Sequence, residues 1–407
     1  MATRARPLIR RFTIELDHLP ATRVFVGLAV PGLILVAADR TDLLIYAVFG
    51  SFTGMYGFAE APRQRLAHQC EAAVVLVGAV GAGILLAHVH APPVVLVSAV
   101  ATFAAVASPV TDRLGLRPEG PFFGIFAFGA IAMVAGAQRR PVAALLVCAT
   151  TAVLCVLVGY LESSRQVRRS GADAVPVWIR PHRSGRVSLT QSGRYALAIS
   201  ISGGIGILLG VGHANWAMAG AAVPLAAATS RDRITRGLHR VIGTFIGLLV
   251  AAPLLIPGPS PTMLALAIIA LLYPTELFMA RHYAVALGFF TPLIMAMTEL
   301  ADPTDPLTML TERGLDTVLG VAVGIAVALL VREPAAPACT PPVCETLHTV
   351  GMAEDNQWYY CIKHHKAEQG KTCWYNDRMG PYPDQATAER ALDIVRARNK
   401  AADDQDD

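Results

Sequence analysis

Apolar runs fill the chain from about residue 24 to residue 331, and no other feature restricts its fold so strongly. A helix that crosses a bilayer needs about 17–25 mostly apolar residues. The candidates lie at roughly 24–38, 43–59, 70–88, 92–110, 121–137, 141–160, 195–211, 214–229, 240–256, 262–280, 283–298 and 314–331. As core helices of a large soluble protein they would need a polar face at helical spacing, yet Val142 to Leu157 offers only Thr150 and Thr151. A helix apolar all round belongs in lipid or inside a membrane bundle. Pro31, Gly78, Gly81, Pro253 and Pro292 interrupt the runs as bundle helices tolerate. Charged residues make up 16% of the chain, against about 25% in ordinary soluble domains, which argues against a conventional cytosolic enzyme.

Arginine sets the orientation, because Lys and Arg in short loops favour the cytoplasmic side. Arg4, Arg6, Arg10 and Arg11 precede the polar stretch 13–23, so the first run reads as a retained helix rather than a secretory signal. With the N-terminus inside, Arg40, Arg139, Arg140 and Arg313 are the only arginines of the apolar region that fall outside. A single missed crossing would invert every later loop and destroy that asymmetry. Both termini are therefore expected in the cytoplasm, with the protein in the plasma membrane.

Internal similarity follows the same division. At an offset near 171, Arg23 aligns with Arg194, and Arg65-Leu66-Ala67-His68 with Arg236-Gly237-Leu238-His239; at 167, Phe122-Phe123 aligns with Phe289-Phe290. An even number of crossings per unit makes such repeats parallel. The expected fold is an all-α integral membrane bundle of about 12 transmembrane helices in two parallel six-helix repeats, with a small α+β C-terminal appendage. Its parts are a first unit at 1–161, a basic cytoplasmic connector at 162–193, a second unit at 194–332, a Pro-rich tether at 333–350 and a tail at 351–407.

The stretch from Arg231 to Gly247 resembles the signature of the fusaric-acid-resistance-like family of membrane transporters, related to the aromatic acid exporters. There an arginine-rich cytoplasmic loop runs into R-x-x-x-R-x-x-G-T-x-x-G, and Arg236, Arg240, Gly243, Thr244 and Gly247 occupy those positions. The similarity covers about 190–331 and is weaker in the first half, where Arg65, His68 and Gln69 stand without a following Gly-Thr pair. The resemblance implies efflux of small organic, often aromatic, anions. On a helix starting near Leu238 these five positions form one stripe, with both arginines below a smooth strip of Gly and Thr. Two roles stay open for the arginines: orientation at lipid phosphates, or attraction of an anionic substrate at the inner mouth together with His239.

An ionisable group inside a span costs about 2.5–3.5 kcal/mol on insertion scales, which makes each one a functional candidate. Glu276 follows Pro274 near the inner end of its run and is the first choice for a proton or substrate group, with pairing to Arg281 or His282 as the alternative. Asp316 is the second, with Arg313 three residues away as its alternative partner. Asp112, Glu71 and His68 occupy comparable boundary places in the first half. One charge moving through 100 mV would supply about 2.3 kcal/mol, roughly a fifty-fold gradient. The absence of G-x-x-x-x-G-K, H-E-x-x-H and G-x-S-x-G argues against direct ATP drive, a zinc protease and a serine hydrolase, so no enzymatic activity is expected.

The lysines, Lys363, Lys366, Lys371 and Lys400, and the cysteines Cys339, Cys344, Cys361 and Cys373 mark the tail as a different module. Residues 357–364 read as a strand and 384–400 as an amphipathic helix. Met379-Gly380-Pro381-Tyr382 followed by Ala388-Glu389-Arg390-Ala391-Leu392 resembles the end of a sporulation-related repeat, which would imply glycan binding and sits poorly with a cytoplasmic tail. Cys361, His364, His365 and Cys373 match no common zinc spacing, and neither a metal nor a cofactor is expected. The expected function is proton-coupled export of a small aromatic anion. The alternatives are a non-transporting scaffold that presents the tail to a partner, and a passive channel. Expected partners are membrane lipids and a small organic anion, with self-association open and nucleic acid excluded.

Overall fold

The computed structural model describes residues 18–57, 62–133, 140–170, 189–210, 214–227, 229–279, 282–331, 358–361, 364, 366–370, 378–382 and 384–393. It divides into two compact units, Met1–Arg332 and Glu333–Asp407, each considered by itself.

The larger unit is helical. In chain order it contains α1 (His18–Ala37), α2 (Leu44–Ser51), α3 (Pro62–His88), α4 (Pro93–Leu114), α5 (Phe122–Met133) and α6 (Pro141–Ser170). There follow α7 (Leu189–Leu208), α8 (Ala214–Leu225), α9 (Ser230–Leu255), α10 (Pro261–Met279), α11 (Tyr283–Ala301) and α12 (Pro306–Leu330). Eight of these, α1, α3, α4, α6 and α9 to α12, are long and apolar enough to cross a membrane. Of the other expected spans, α7 has sufficient length but carries Gln191 and Arg194 in its first turns. α5 and α8 have 12 residues each, and α2 has only 8, continued at both ends by short 3₁₀ turns. Every residue of α2 and α8 is buried, so these short segments lie inside the bundle.

Several helices start earlier or end later than their apolar runs. α9 begins at Ser230 because Thr229 caps it: its Oγ1 accepts the Asp232 N–H at 3.1 Å and its hydroxyl donates to the Asp232 carboxylate at 2.7 Å. α12 begins at Pro306, with Asp305 accepting the Thr308 N–H at 2.8 Å and proline at the first helical position. Asp316 consequently lies roughly 15 Å into its helix rather than one turn inside it. α6 continues to Ser170, beyond the expected unit boundary at 161.

The helices pair in a definite order. α3 packs against α5 and α6, and α9 against α11 and α12; α2 lies on α6, and α8 on α12; α1 lies on α10, and α7 on α4. Small residues set the closest approaches. A Cβ on Gly320 or Gly324 would run into the carbonyl oxygens of Ala217 and Ala221 on α8, and one on Gly50 would run into that of Cys148 on α6. In the absence of a hydrophobic drive between helices in lipid, such contact is a main source of association.

The smaller unit holds β1 (Trp358–Cys361), β2 (Lys366–Gln369), β3 (Arg378–Tyr382) and a short α13 (Gln385–Glu389). The sheet is antiparallel in the order β2-β1-β3. Tyr359, Tyr360 and Cys361 are buried, as are Ala388 and Ala391. β1 is shorter than the expected 357–364, with His364 already in the connection to β2. Of the expected helix at 384–400, residues 385–389 and 391–393 are helical and 394–400 lie outside the described residues. Cys361, His364 and Glu368 bring one ligand atom each within 4.8 Å of the others. Within that group the His364 Nδ1 and the Glu368 carboxylate already pair at 3.0 Å. Cys339, Cys344, His365 and Cys373 lie outside the described residues.

Candidate functional site

The beginning of α5, the first half of α9 and the facing ends of α8, α10 and α11 surround a cavity of ≈ 350 Å³. That is within the range of small-molecule sites, roughly 300–1,000 Å³. Its walls are apolar and aromatic, with Phe122, Phe123, Phe290 and Tyr283, while its polar groups are Arg117, Glu119, Arg236, Arg240 and Glu276. The aromatic wall is continuous: Phe122 stacks on Phe126, and Phe123 and Phe290 both contact Phe52.

Arg240 is the deepest cation of this site. It is 1% exposed, and its guanidinium carbon lies 5.4 Å from the centroid of the Phe122 ring. A desolvated cation over a ring is worth about 2 kcal/mol, which offsets only part of the cost of burying the charge. The Nε of Arg240 has no hydrogen-bond partner among the described residues. The site therefore holds a cation with a donor unused, beside an aromatic face.

Glu276 lies on α10, two residues past Pro274, and is buried with Oε1 unpartnered among the described residues. Its opposite charge is Arg23 on α1, whose field reaches it. Arg23 is itself buried and bonds Glu162 of α6 at 3.1 Å. Arg281, one alternative partner, lies outside the described residues, and His282 is exposed. Loop residue Gly120 reaches the cavity with φ +79°, and a Cβ there would sit 2.6 Å from the Tyr195 hydroxyl, so only glycine fits the turn.

The expected site residues separate into three groups. Arg236, Arg240 and Glu276 share the cavity. His239 is exposed and does not line it. Gly243 and Gly247 face α11, where a Cβ on Gly243 would lie 2.5 Å from the Ala284 carbonyl oxygen and one on Gly247 2.6 Å from the Thr291 Cβ, and Thr244 is buried. Asp316 lies off the cavity, buried on α12, and neither of its oxygens bonds Arg313. In the sequence Phe122 serves only as a repeat marker and Arg313 only as an outward cation and neighbour of Asp316, and Arg117, Tyr283 and Trp216 have no site role. The aromatic pair Phe122-Phe123 beside the turn Arg117-Pro118-Glu119-Gly120 was the available signal.

No curated protein and no solved structure matches the chain significantly. Over residues 199–327, which contain α8 to α11 whole, half of α7 and most of α12, the chain matches the family described as fusaric acid resistance protein-like.

Proposed function

We propose that the chain is a secondary carrier that exports small aromatic carboxylate-type anions across the plasma membrane, with both termini cytoplasmic, and that it is not an enzyme. The observation that carries this is Arg240, buried in a cavity of ≈ 350 Å³ with Nε unpartnered and its guanidinium over Phe122. A carboxylate would take the free donor, and its ring would lie against Phe122, Phe123 and Phe290. Charge-assisted hydrogen bonds are roughly twice as strong as neutral ones. Arg117 and Arg236 would draw the anion towards the site. The family name points the same way for residues 199–327.

The same proposal includes twelve crossings in two parallel six-helix repeats. It is supported by the matched pairings: α3 with α5 and α6 answers α9 with α11 and α12, and α1 on α10 answers α7 on α4. The short buried α2 and α8 would be the discontinuous elements at the centre, a common arrangement in repeat-built carriers. Glu276 would carry the coupling proton, because it lines the cavity and is buried with Oε1 unpartnered among the described residues.

The test is uptake of labelled benzoate into vesicles with the cytoplasmic face outward, with and without an imposed proton gradient. Wild type should accumulate benzoate when the lumen is acidic. Arg240→Gln should abolish saturable uptake, and Glu276→Gln should keep binding but lose the response to the gradient. Unchanged uptake in Arg240→Gln would sink the site assignment. Deleting residues 334–407 separates carrier from scaffold, since a carrier keeps its transport without the tail.

A further inference from the structure

A second guanidinium–aromatic pair joins α12 to α8. Arg313 on α12 is fully buried, and its guanidinium carbon is 5.0 Å from the centroid of the Trp216 ring on α8. None of its three nitrogens has a hydrogen-bond partner among the described residues, nor has either oxygen of Asp316 one turn away. A buried arginine and a buried carboxylate left unbonded together are costly twice over. Packing alone does not explain them, since an apolar pair would fill the same volume at less cost.

Their height in the bundle is fixed by contacts. A Cβ on Gly314 would meet Leu248 and Phe245 of α9, which puts Arg313 roughly 8–12 Å farther along α9 than Arg240. Between the two arginines come Thr244 and, opposite Gly247, Thr291. Both hydroxyls are buried without a partner among the described residues. Arg313 also lies within the electrostatic reach of Arg240 and Tyr283, two residues of the cavity wall. Unused polar groups thus follow one another from Arg240 through Thr244 and Thr291 to Arg313.

We infer that this series is the outward half of the anion's route, ending at a second station where Arg313 over Trp216 receives the carboxylate released by Arg240. Asp316 supplies the counter-charge to Arg313 when no anion is there. The design repeats that of the cavity, a guanidinium with spare donors lying on an aromatic face, so one ligand chemistry suits both. The pair is closed in this conformation and opens to the substrate only after the cavity has loaded. The inference rests on the anion-carrier proposal and adds a residue set outside the cavity.

The experiment uses the full chain and benzoate as the probe, with equilibrium binding in detergent and counterflow exchange in liposomes measured on the same preparations. Arg313→Gln should bind benzoate within about threefold of wild type yet lose counterflow by about tenfold or more, a difference that a single-site carrier would not produce. Arg313→Lys should recover part of the exchange, and Thr291→Val should slow it without changing binding. Arg240→Gln should lose binding itself. Wild-type counterflow in Arg313→Gln, or loss of binding in a monodisperse Arg313→Gln as complete as in Arg240→Gln, overturns the second station. If Arg313→Gln does not reconstitute, Arg313→Lys and Thr291→Val decide, and unchanged counterflow in both overturns it. Failure of wild type to bind or exchange benzoate is a different result, and it overturns the carrier proposal on which this one stands.

Discussion

Helices α1 to α6 and α7 to α12 pair off in the same order, but they bury different chemistry. On α3 the place of Arg240 is taken by Gln69, a buried amide with both polar atoms unpartnered among the described residues. Where Gly220 of α8 lies against Asp316, Thr317 and Gly320 of α12, Gly50 of α2 lies against Cys148 and Thr151 of α6. At these places the first set keeps the packing and carries neutral groups, while its buried cations, Arg23 and Arg65, lie elsewhere. The other keeps the packing and adds Arg240, Arg313, Asp316 and Glu276. Close helix contact and buried charge are thus separable properties, and the first does not require the second.

The largest effect expected from this contrast concerns contact alone. Gly243 sits where a Cβ would be 2.5 Å from the Ala284 carbonyl oxygen, whereas Gly78 of α3 has nothing within 4 Å. Gly243→Val should cost about 3 kcal/mol or more, at the upper end of overpacking, and reduce the yield of monodisperse protein. Gly78→Val should stay within about 0.5 kcal/mol. Thermal unfolding in detergent measures both, and equal losses would mean that the two helices are packed alike.

How much of this was legible in the sequence depends on the residue. The apolar runs located the helices, but not their ends: the caps at Thr229 and Asp305 each lie eight or more residues before the expected start of a run, because capping is local side-chain chemistry that hydropathy does not register. α2 and α8 read as spans because a segment buried in protein is as apolar as one buried in lipid. Glu276 was found because charge in an apolar run is conspicuous, and Arg236 and Arg240 because they stand in the R-x-x-x-R-x-x-G-T-x-x-G stretch. Phe122 and Trp216 were not, since an aromatic among apolar residues has no contrast, and their positions over the guanidinium groups are set by tertiary packing.

The next effect tests the chemical difference directly. Arg240→Gln should weaken benzoate binding about 10- to 100-fold, the loss of one charged, ring-stacked donor. Gln69→Leu should leave binding within about twofold and leave stability unchanged or raised by about 1 kcal/mol, since it removes two unmet polar atoms. Equilibrium binding on the two purified variants gives the comparison, and a matching loss in Gln69→Leu would make the first set part of the site.

A smaller effect lies at the arginines that anchor the first helix of each set. Arg23 of α1 donates to the half-buried carboxylate of Glu162 on α6 at 3.1 Å, whereas Arg194 of α7 donates to the carbonyl oxygen of Val331 just past α12 at 2.8 Å. Both tie a first helix to a last one, the former through a carboxylate and the latter through a backbone carbonyl. Glu162→Gln should cost about 1 kcal/mol or less and lose that effect in high salt. Arg194→Gln should cost about 1 kcal/mol at any ionic strength. Melting curves at low and high salt distinguish the two, and a salt-dependent Arg194→Gln would equate the anchors.

The smallest effect belongs to an exposed loop of the first set. Arg40 donates from Nε and a terminal nitrogen to the two oxygens of Asp42, each at 2.9 Å. These bonds hold the Asp42 carboxyl below the usual carboxylate range, and Arg140 adds to the effect. Because the folded value lies below the unfolded one of about 3.9, the pair's stabilisation is complete above that pH and disappears as the pH falls through the folded value. Asp42 is exposed and Arg40 partly so, so solvent and salt weaken the interaction. Asp42→Asn should therefore lower the melting temperature slightly at neutral pH, less in high salt, and by a shrinking amount as the pH falls through the folded value and wild-type Asp42 is protonated too. A difference that persisted in acid would mean that Asp42 acts through the fold of its loop rather than through charge. Two of the four arginines expected outside from the sequence, Arg40 and Arg140, gather around this carboxylate, and Arg313 is buried over Trp216. These three cations are thus each held by a specific group, and the second set differs in holding its cation beside unbonded polar groups within the bundle.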